Sequence, residues 1–233
     1  MKKNVIFFSL AALGILFLFS CVPLEEYRVK EEKTFEEEKV VKEQKVAKEE
    51  KPVKEEKKVV EKLQDILMVD DFDDGEKPNN LGGDLGAWDR DPADDTQTCR
   101  EYFTSEVKCG EKGYSMKIDY DVDSPSPAYN GYWTKLQGID VSGYKNFVFY
   151  VKGDEKDGFT TQFKIELKNE KKELGRHYVK GVTSEWQKVI VPLDSFVGIT
   201  DFSKMTEFVV VFEDRIATDR DGAIYIDNLY FSK

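Results

Sequence analysis

The side chains with the most chemistry in this chain are two glutamates, Glu166 and Glu213, and the polar and aromatic residues spaced around them. Alternation along a strand assigns their faces. In Tyr132-Trp-Thr-Lys-Leu-Gln137, Leu136 belongs inside, so Trp133, Lys135 and Gln137 point out. Phe163 and Ile165 turn Gln162, Lys164 and Glu166 outward, and Val179 does the same for Arg176, Tyr178 and Lys180. Glu213 closes the apolar run Phe208–Phe212. If these strands are neighbours, they offer one concave polar face with aromatic steps at Trp133 and Tyr178. Such a face suits a sugar, whose apolar C–H face stacks on a ring while side chains bond its hydroxyls. The plainer alternative is an ordinary solvated sheet with surface ion pairs of little worth.

Hydrolysis is the weaker expectation. Glu166 and Glu213 could serve as the carboxylate pair, which must stand about 5–10 Å apart across a groove. A small domain with short loops has little to exclude water or distort a ring. No nucleophile elbow, catalytic triad or phosphate-binding glycine loop occurs. The single His excludes any site needing two, and three Cys cannot make a four-Cys zinc centre. A net charge of −11 and a pI near 4.8 exclude a general nucleic-acid binder, which needs surplus Lys and Arg.

The elements that must position this face begin near Gln64. From there no apolar stripe has helical spacing, and short alternating or apolar runs are punctuated by Gly, Pro, Asn and Asp. Tyr114–Asp121, Phe147–Val151, Phe159–Leu167, Trp186–Val191, Phe208–Phe212 and Ile224–Phe231 read as strands. Nine or ten strands without helices between them predict an all-β fold of two packed antiparallel sheets. Short helical turns are expected at Leu193–Phe196 and Asp201–Met205, and Trp186 reads as core. Trp88 and Tyr129 fall in loops that could flank a cleft.

The N-terminal quarter is different. Lys2 and Lys3 precede a largely apolar run of 17 residues, Asn4 to Ser20, as in a secretory signal. Leu18-Phe-Ser-Cys21 resembles a bacterial lipobox, which implies acylation of Cys21 and a lipid anchor in a membrane outside the cytoplasm. An uncleaved membrane anchor is the alternative. Val22, where Asp would favour inner-membrane retention, points to an outer membrane or cell surface. Residues 21–63 then form a spacer in which Val29-Lys-Glu-Glu-Lys33 recurs with variations. Its six-residue spacing fits neither a buried helix face nor a heptad, and Pro52 interrupts it, so a tether is expected rather than a coiled coil. It could reach roughly 140 Å extended. Outside the cytoplasm thiols oxidise, and with Cys21 lipidated a Cys99–Cys109 disulfide is expected, two free thiols being the alternative.

Asp70-Asp-Phe-Asp-Asp-Gly75, Asn79-Asn-Leu-Gly-Gly83, Ile139-Asp-Val-Ser-Gly-Tyr144, Ser184–Asp194 and Ile224–Phe231 follow one another in an order that resembles the galactose-binding-like jelly-roll modules. Residues 66–233 are most similar to the family-eleven carbohydrate-binding modules, and more remotely to complex I intermediate-associated domains. The resemblance implies an antiparallel jelly-roll β-sandwich that binds a polysaccharide or oligosaccharide on the face described, without catalysis. It also implies a structural Ca²⁺ between the first and last strands, held by Asp71, Asp73 and Asp227. The same fold hosts assembly factors, so an envelope lipoprotein with a protein partner remains open.

Overall fold

The computed structural model describes residues 65–233. The signal-like segment 1–20, Cys21 and the spacer 21–63 lie outside the described residues. The expected sandwich is present, with eleven strands. In chain order they are β1 (Ile66–Asp70), β2 (Leu85–Asp89), β3 (Thr98–Thr104), β4 (Ser115–Asp121), β5 (Tyr129–Ile139), β6 (Asn146–Gly153), β7 (Gln162–Asn169), β8 (Leu174–Lys180), β9 (Gln187–Pro192), β10 (Met205–Glu213) and β11 (Asp221–Ser232). One sheet has the order β3-β4-β11-β6-β9, with β1 also on β11. The other has the order β2-β5-β10-β7-β8. Every pairing is antiparallel.

β11 organises the first sheet. β4 pairs with its first half, Asp221–Ile226, and β1 with its second, Leu229–Ser232, while β6 runs along the opposite side. The register slips between Asp227 and Tyr230, where Asn228 takes a positive φ of 51°. A bulge of this kind re-aims side chains, here that of Asp227.

Alternating inward residues of both sheets build the core. Tyr120 of β4 stacks on Phe212 of β10 at 4.0 Å, and Phe147 of β6 meets Phe208 of β10 at 4.7 Å. Each fully buried ring stabilises the fold by roughly 1.5–3 kcal/mol relative to exposure. Met116, Ile118 and Tyr120 share the buried face of β4 as the alternation predicts, whereas Tyr114 lies before the strand and is partly exposed. β7 starts at Gln162, three residues later than expected. Thr160 is held by side-chain bonds instead: its N–H donates to the Tyr120 hydroxyl and its Oγ1 to the Gln162 carbonyl, both at 2.6 Å. A 3₁₀ turn covers Leu193–Ser195 as expected. Residues 201–204 are not helical, because Asp201 Oδ1 accepts the Ser203 N–H at 2.9 Å and closes a local turn. Trp186 precedes β9 and is half-buried rather than core.

Cys99 and Cys109 are free thiols, not a disulfide. Cys99 sits at the start of β3, facing the core across from Tyr120, which in turn pairs with Gly222 of β11. The Cys109 N–H donates to Asp227 Oδ2 at 2.8 Å, five residues further along β11. Five residues of strand span about 17 Å, far beyond the roughly 7 Å Cα separation that a disulfide tolerates. Burial pushes both thiols up, Cys99 most strongly, with nearby carboxylates adding to it. Thiol titration with a disulfide-exchange reagent under denaturing conditions should therefore find both groups. In the folded protein Cys99 should stay unreactive, and a reductant should leave the melting temperature unchanged.

Candidate functional site

The outward face of β2-β5-β10-β7-β8 carries the groove. Its register stacks residues in rows across the sheet. Trp88 lies opposite Gly131, Val211 follows on β10, then Lys164 and Tyr178. In the adjoining row Gly86 faces Trp133, followed by Val209, Glu166 and Arg176. A third row joins Lys135, Glu207, Lys168 and Leu174. Two adjoining depressions of about 580 and 340 Å³ share Trp88, Glu166 and Lys168 and run along these rows.

One wall is aromatic. Trp88 meets Tyr129 edge-on at 5.9 Å, and the Arg90 guanidinium lies 5.3 Å from the Tyr129 ring centre. A Cβ on Gly86 would stand 3.2 Å from the Trp133 ring, so that glycine lets the indole lie across β2. The Lys135 ammonium sits 4.9 Å from the same ring. Gly131 cannot be larger either, because a Cβ there would run into the Val210 carbonyl oxygen. Between the walls Val209 and Val211 form an apolar floor.

The other wall is a ladder of ion pairs. Lys164 bonds Glu213 and lies 3.1 Å from Glu166, and Arg176 Nε lies 3.4 Å from the same Glu166 oxygen. Lys164 and Glu166 are each only 9% exposed. Burial works against the Lys164 charge, but Glu213 and Glu166 outweigh it and raise its pKa. Glu207 takes both Lys168, at 2.6 Å, and Lys135. Burial opposes its ionisation, yet the two ammoniums hold its pKa below the ordinary value. The enclosed Lys164–Glu166 pair is held in place and presents oriented donors and acceptors, whereas Lys135 and Lys168 reach Glu207, and Arg176 reaches Glu166, from more exposed positions.

The structure thus brings Trp133, Lys164, Glu166, Arg176 and Glu213 to one groove. Three expected residues stand apart. Gln137 takes a positive φ of 55° at the end of β5 and donates to the Gly82 carbonyl at 3.1 Å. Gln162 donates to the Ile216 carbonyl at 2.7 Å. Tyr178, 45% exposed on the edge strand, lines a separate depression beside β9. Trp88, Arg90, Tyr129, Lys135, Lys168, Glu207 and Arg215 also line the groove. Lys168 was readable, since the alternation of Gln162, Lys164 and Glu166 reaches it in one further step. His177 is half-buried near Phe196, and burial lowers its pKa.

A second polar cluster lies in the other sheet. Asp70, 3% exposed, and Asp227, 2% exposed, come together where β1 and β4 share β11. Asp70 Oδ1 accepts the Phe72 N–H at 2.9 Å, while its buried Oδ2 has no hydrogen-bond partner. Burial pushes Asp70 up to about 7, helped by Asp71, Asp74 and Asp227. Asp227 is likewise pushed up to about 7 by burial, with Asp73 and Asp71 adding to it. Asp71 and Asp73 of the expected trio lie near enough to Asp227 to raise its pKa, without forming a ligand set with it. Among the described residues no group of three or more His, Cys, Asp or Glu side chains is arranged to hold a metal. The chain leaves β1 at Asp70 and Phe72 takes a positive φ of 56°, which breaks the alternation that would align Asp71 with Asp73. Asp73 is exposed and Asp71 accepts its N–H at 3.3 Å.

A two-sheet sandwich with an aromatic and charged groove across one sheet defines a carbohydrate-binding jelly-roll module. The chain belongs to the family described as carbohydrate binding domain 30, whose model matches residues 84–233. Its fold is similar to that of the family 11 carbohydrate-binding module of the cellulosomal cellulase Lic26A-Cel5E of Clostridium thermocellum. That likeness has 18% identity and a TM-score of 0.52, over 72% of this chain and 94% of that one. A Clostridium thermocellum family 11 module in complex with a β-1,3-1,4-mixed-linked tetrasaccharide aligns with 16% identity and a TM-score of 0.54, over 72% and 95% of the two chains. An exo-β-agarase aligns with 15% identity and a TM-score of 0.53, over 71% of this chain and 24% of its own length. No curated protein matches the chain.

Proposed function

We propose that residues 65–233 are a non-catalytic polysaccharide-binding module, displayed outside the cytoplasm by a chain anchored through lipid on Cys21. The observation that carries this reading is the groove, with Trp88, Tyr129 and Trp133 on one wall, Val209 and Val211 as floor and the Lys164–Glu166–Glu213 ladder opposite. Rings and an apolar floor suit the C–H faces of a sugar chain, and the fixed ladder suits its hydroxyls. Openness along the rows suits a polymer that runs through. Hydrolysis is a poor use of the same residues. It needs one carboxyl that gives up a proton, whereas here a single ammonium bridges Glu166 and Glu213.

Affinity electrophoresis of the detergent-solubilised whole chain, against mixed-linkage β-glucan and cell-envelope polysaccharides, tests the reading. Retardation supports it, and free migration through all of them refutes it. The anchor has its own test. Radiolabelled palmitate should enter the chain in a bacterial host and fail to enter Cys21→Ala, and label in both would refute lipidation at this residue.

Ca²⁺ is the ion we assign to the pair Asp70 and Asp227. The fit rests on the orphaned, buried Asp70 Oδ2 beside a second buried carboxyl. Carboxylate oxygens joined by backbone carbonyls are the donors Ca²⁺ prefers. Bound there, the ion would neutralise the pair and tie the first strand to the last.

A further inference from the structure

The groove is charged against the grain of its domain. Residues 64–233 carry a net charge of −12, yet six cations and four carboxylates line the groove. The excess gathers in the larger depression, which Arg90, Arg176 and Arg215 line, with Arg90 against the Tyr129 ring. All three are exposed. The carboxylates at that end are already engaged. Glu213 bonds Lys164, Glu166 is shared by Lys164 and Arg176, and Asp214 Oδ2 accepts the Ala128 N–H at 3.3 Å. Among the described residues, no carboxylate lies within ion-pair distance of Arg90 or Arg215. The Arg90 guanidinium is oriented by the Tyr129 ring and by the Pro127 carbonyl.

We propose that this end of the groove receives an anionic substituent of the polysaccharide, a uronate carboxylate or a sulfate ester, so that the module selects acidic glycans over neutral ones. The inference rests on the polysaccharide-binding reading above. A guanidinium offers a planar fork of donors that matches both anions and is always charged. The domain's overall negative charge does not forbid this. At physiological salt, charge is screened within about 8 Å, so an anion at this end meets Arg90 and Arg215 with the neighbouring Glu213 and Asp214, not the summed charge of the domain. A neutral sugar would leave Arg90 and Arg215 without a charged partner.

The test compares three polymers by affinity electrophoresis of the detergent-solubilised whole chain at physiological ionic strength: polygalacturonate for the carboxylate, a sulfated galactan for the sulfate, and mixed-linkage β-glucan as the neutral reference. One of the two acidic polymers should bind at least about tenfold more tightly than the β-glucan, as expected from one charge-assisted contact. That preference should fall about tenfold in Arg90→Gln/Arg215→Gln. Trp133→Ala should also release the acidic polymer, which separates docking in the groove from adhesion to charge elsewhere. Near-ultraviolet circular dichroism checks that each variant is folded. Retardation by the β-glucan alone overturns the inference and leaves the proposed function standing. Acidic-polymer binding that survives the double arginine variant also overturns it, and failure with all three polymers overturns it too, taking the proposed function with it when the cell-envelope polysaccharides also fail.

Discussion

Trp133→Ala is expected to cost the module at least thirtyfold in affinity for its glycan, enough to abolish retardation in affinity electrophoresis. A central aromatic anchor at a binding surface is worth about 2 kcal/mol or more, which is about a factor of thirty. Trp133 qualifies because its ring is held over Gly86 by the absence of a side chain there, with the Lys135 ammonium against it. Little ordering is left for the sugar to impose. Trp186→Ala is the control, since Trp186 is half-buried and lines neither depression of the groove. Equal losses in both variants would mean that the ring supports folding rather than binding.

The second large effect concerns stability. Adding Ca²⁺ to metal-stripped protein at pH 8 should raise the melting temperature by several degrees, and a chelator should reverse it. Asp70→Asn should remove the response. The same pair sets a pH dependence in the metal-free chain. Both carboxyls lie near 7 in the folded state against 3.8 ordinarily, so the folded protein binds more protons than the unfolded between those values. Stability is then greatest when both groups are protonated and declines as pH rises from about 4 to about 7, by an amount on the order of several kcal/mol. Saturating Ca²⁺ should flatten that slope. Melting curves across this range, with and without the ion, read both effects; a stability that rises with pH in chelator would refute the assignment.

The outward face was legible because its inward neighbours are unambiguous. Leu136, Phe163, Ile165 and Val179 are all buried, and parity did the rest for Trp133, Lys164, Glu166 and Arg176. Parity failed where the backbone turns left-handed. Gln137 and Phe72 both take positive φ, so Gln137 swings away and the buried Asp70, which alternation did not single out, lies beside Asp227 together with Asp71 and Asp73. On β10 Phe208 to Phe212 is apolar on both faces, and only alternation back from the outward Glu213 marks Val211, Val209 and Glu207. Trp88 read as a loop residue because Leu85-Gly-Ala-Trp-Asp89 is short and glycine-containing, and only pairing with β5 makes it a strand. The disulfide expectation counted residues between Cys99 and Cys109 without the length of strand that separates them.

Ile66 pairs with Ser232, and the Lys233 N–H donates to the Asp65 carbonyl at 3.0 Å. The two ends of the sandwich therefore meet in one place, and that place belongs to the layer behind the sheet that carries Trp133. Sheets in such a stack lie about 10 Å apart. A module captured by either terminus, on a sensor chip or in a fusion, is held through that other layer and keeps its grooved face open to a passing polymer.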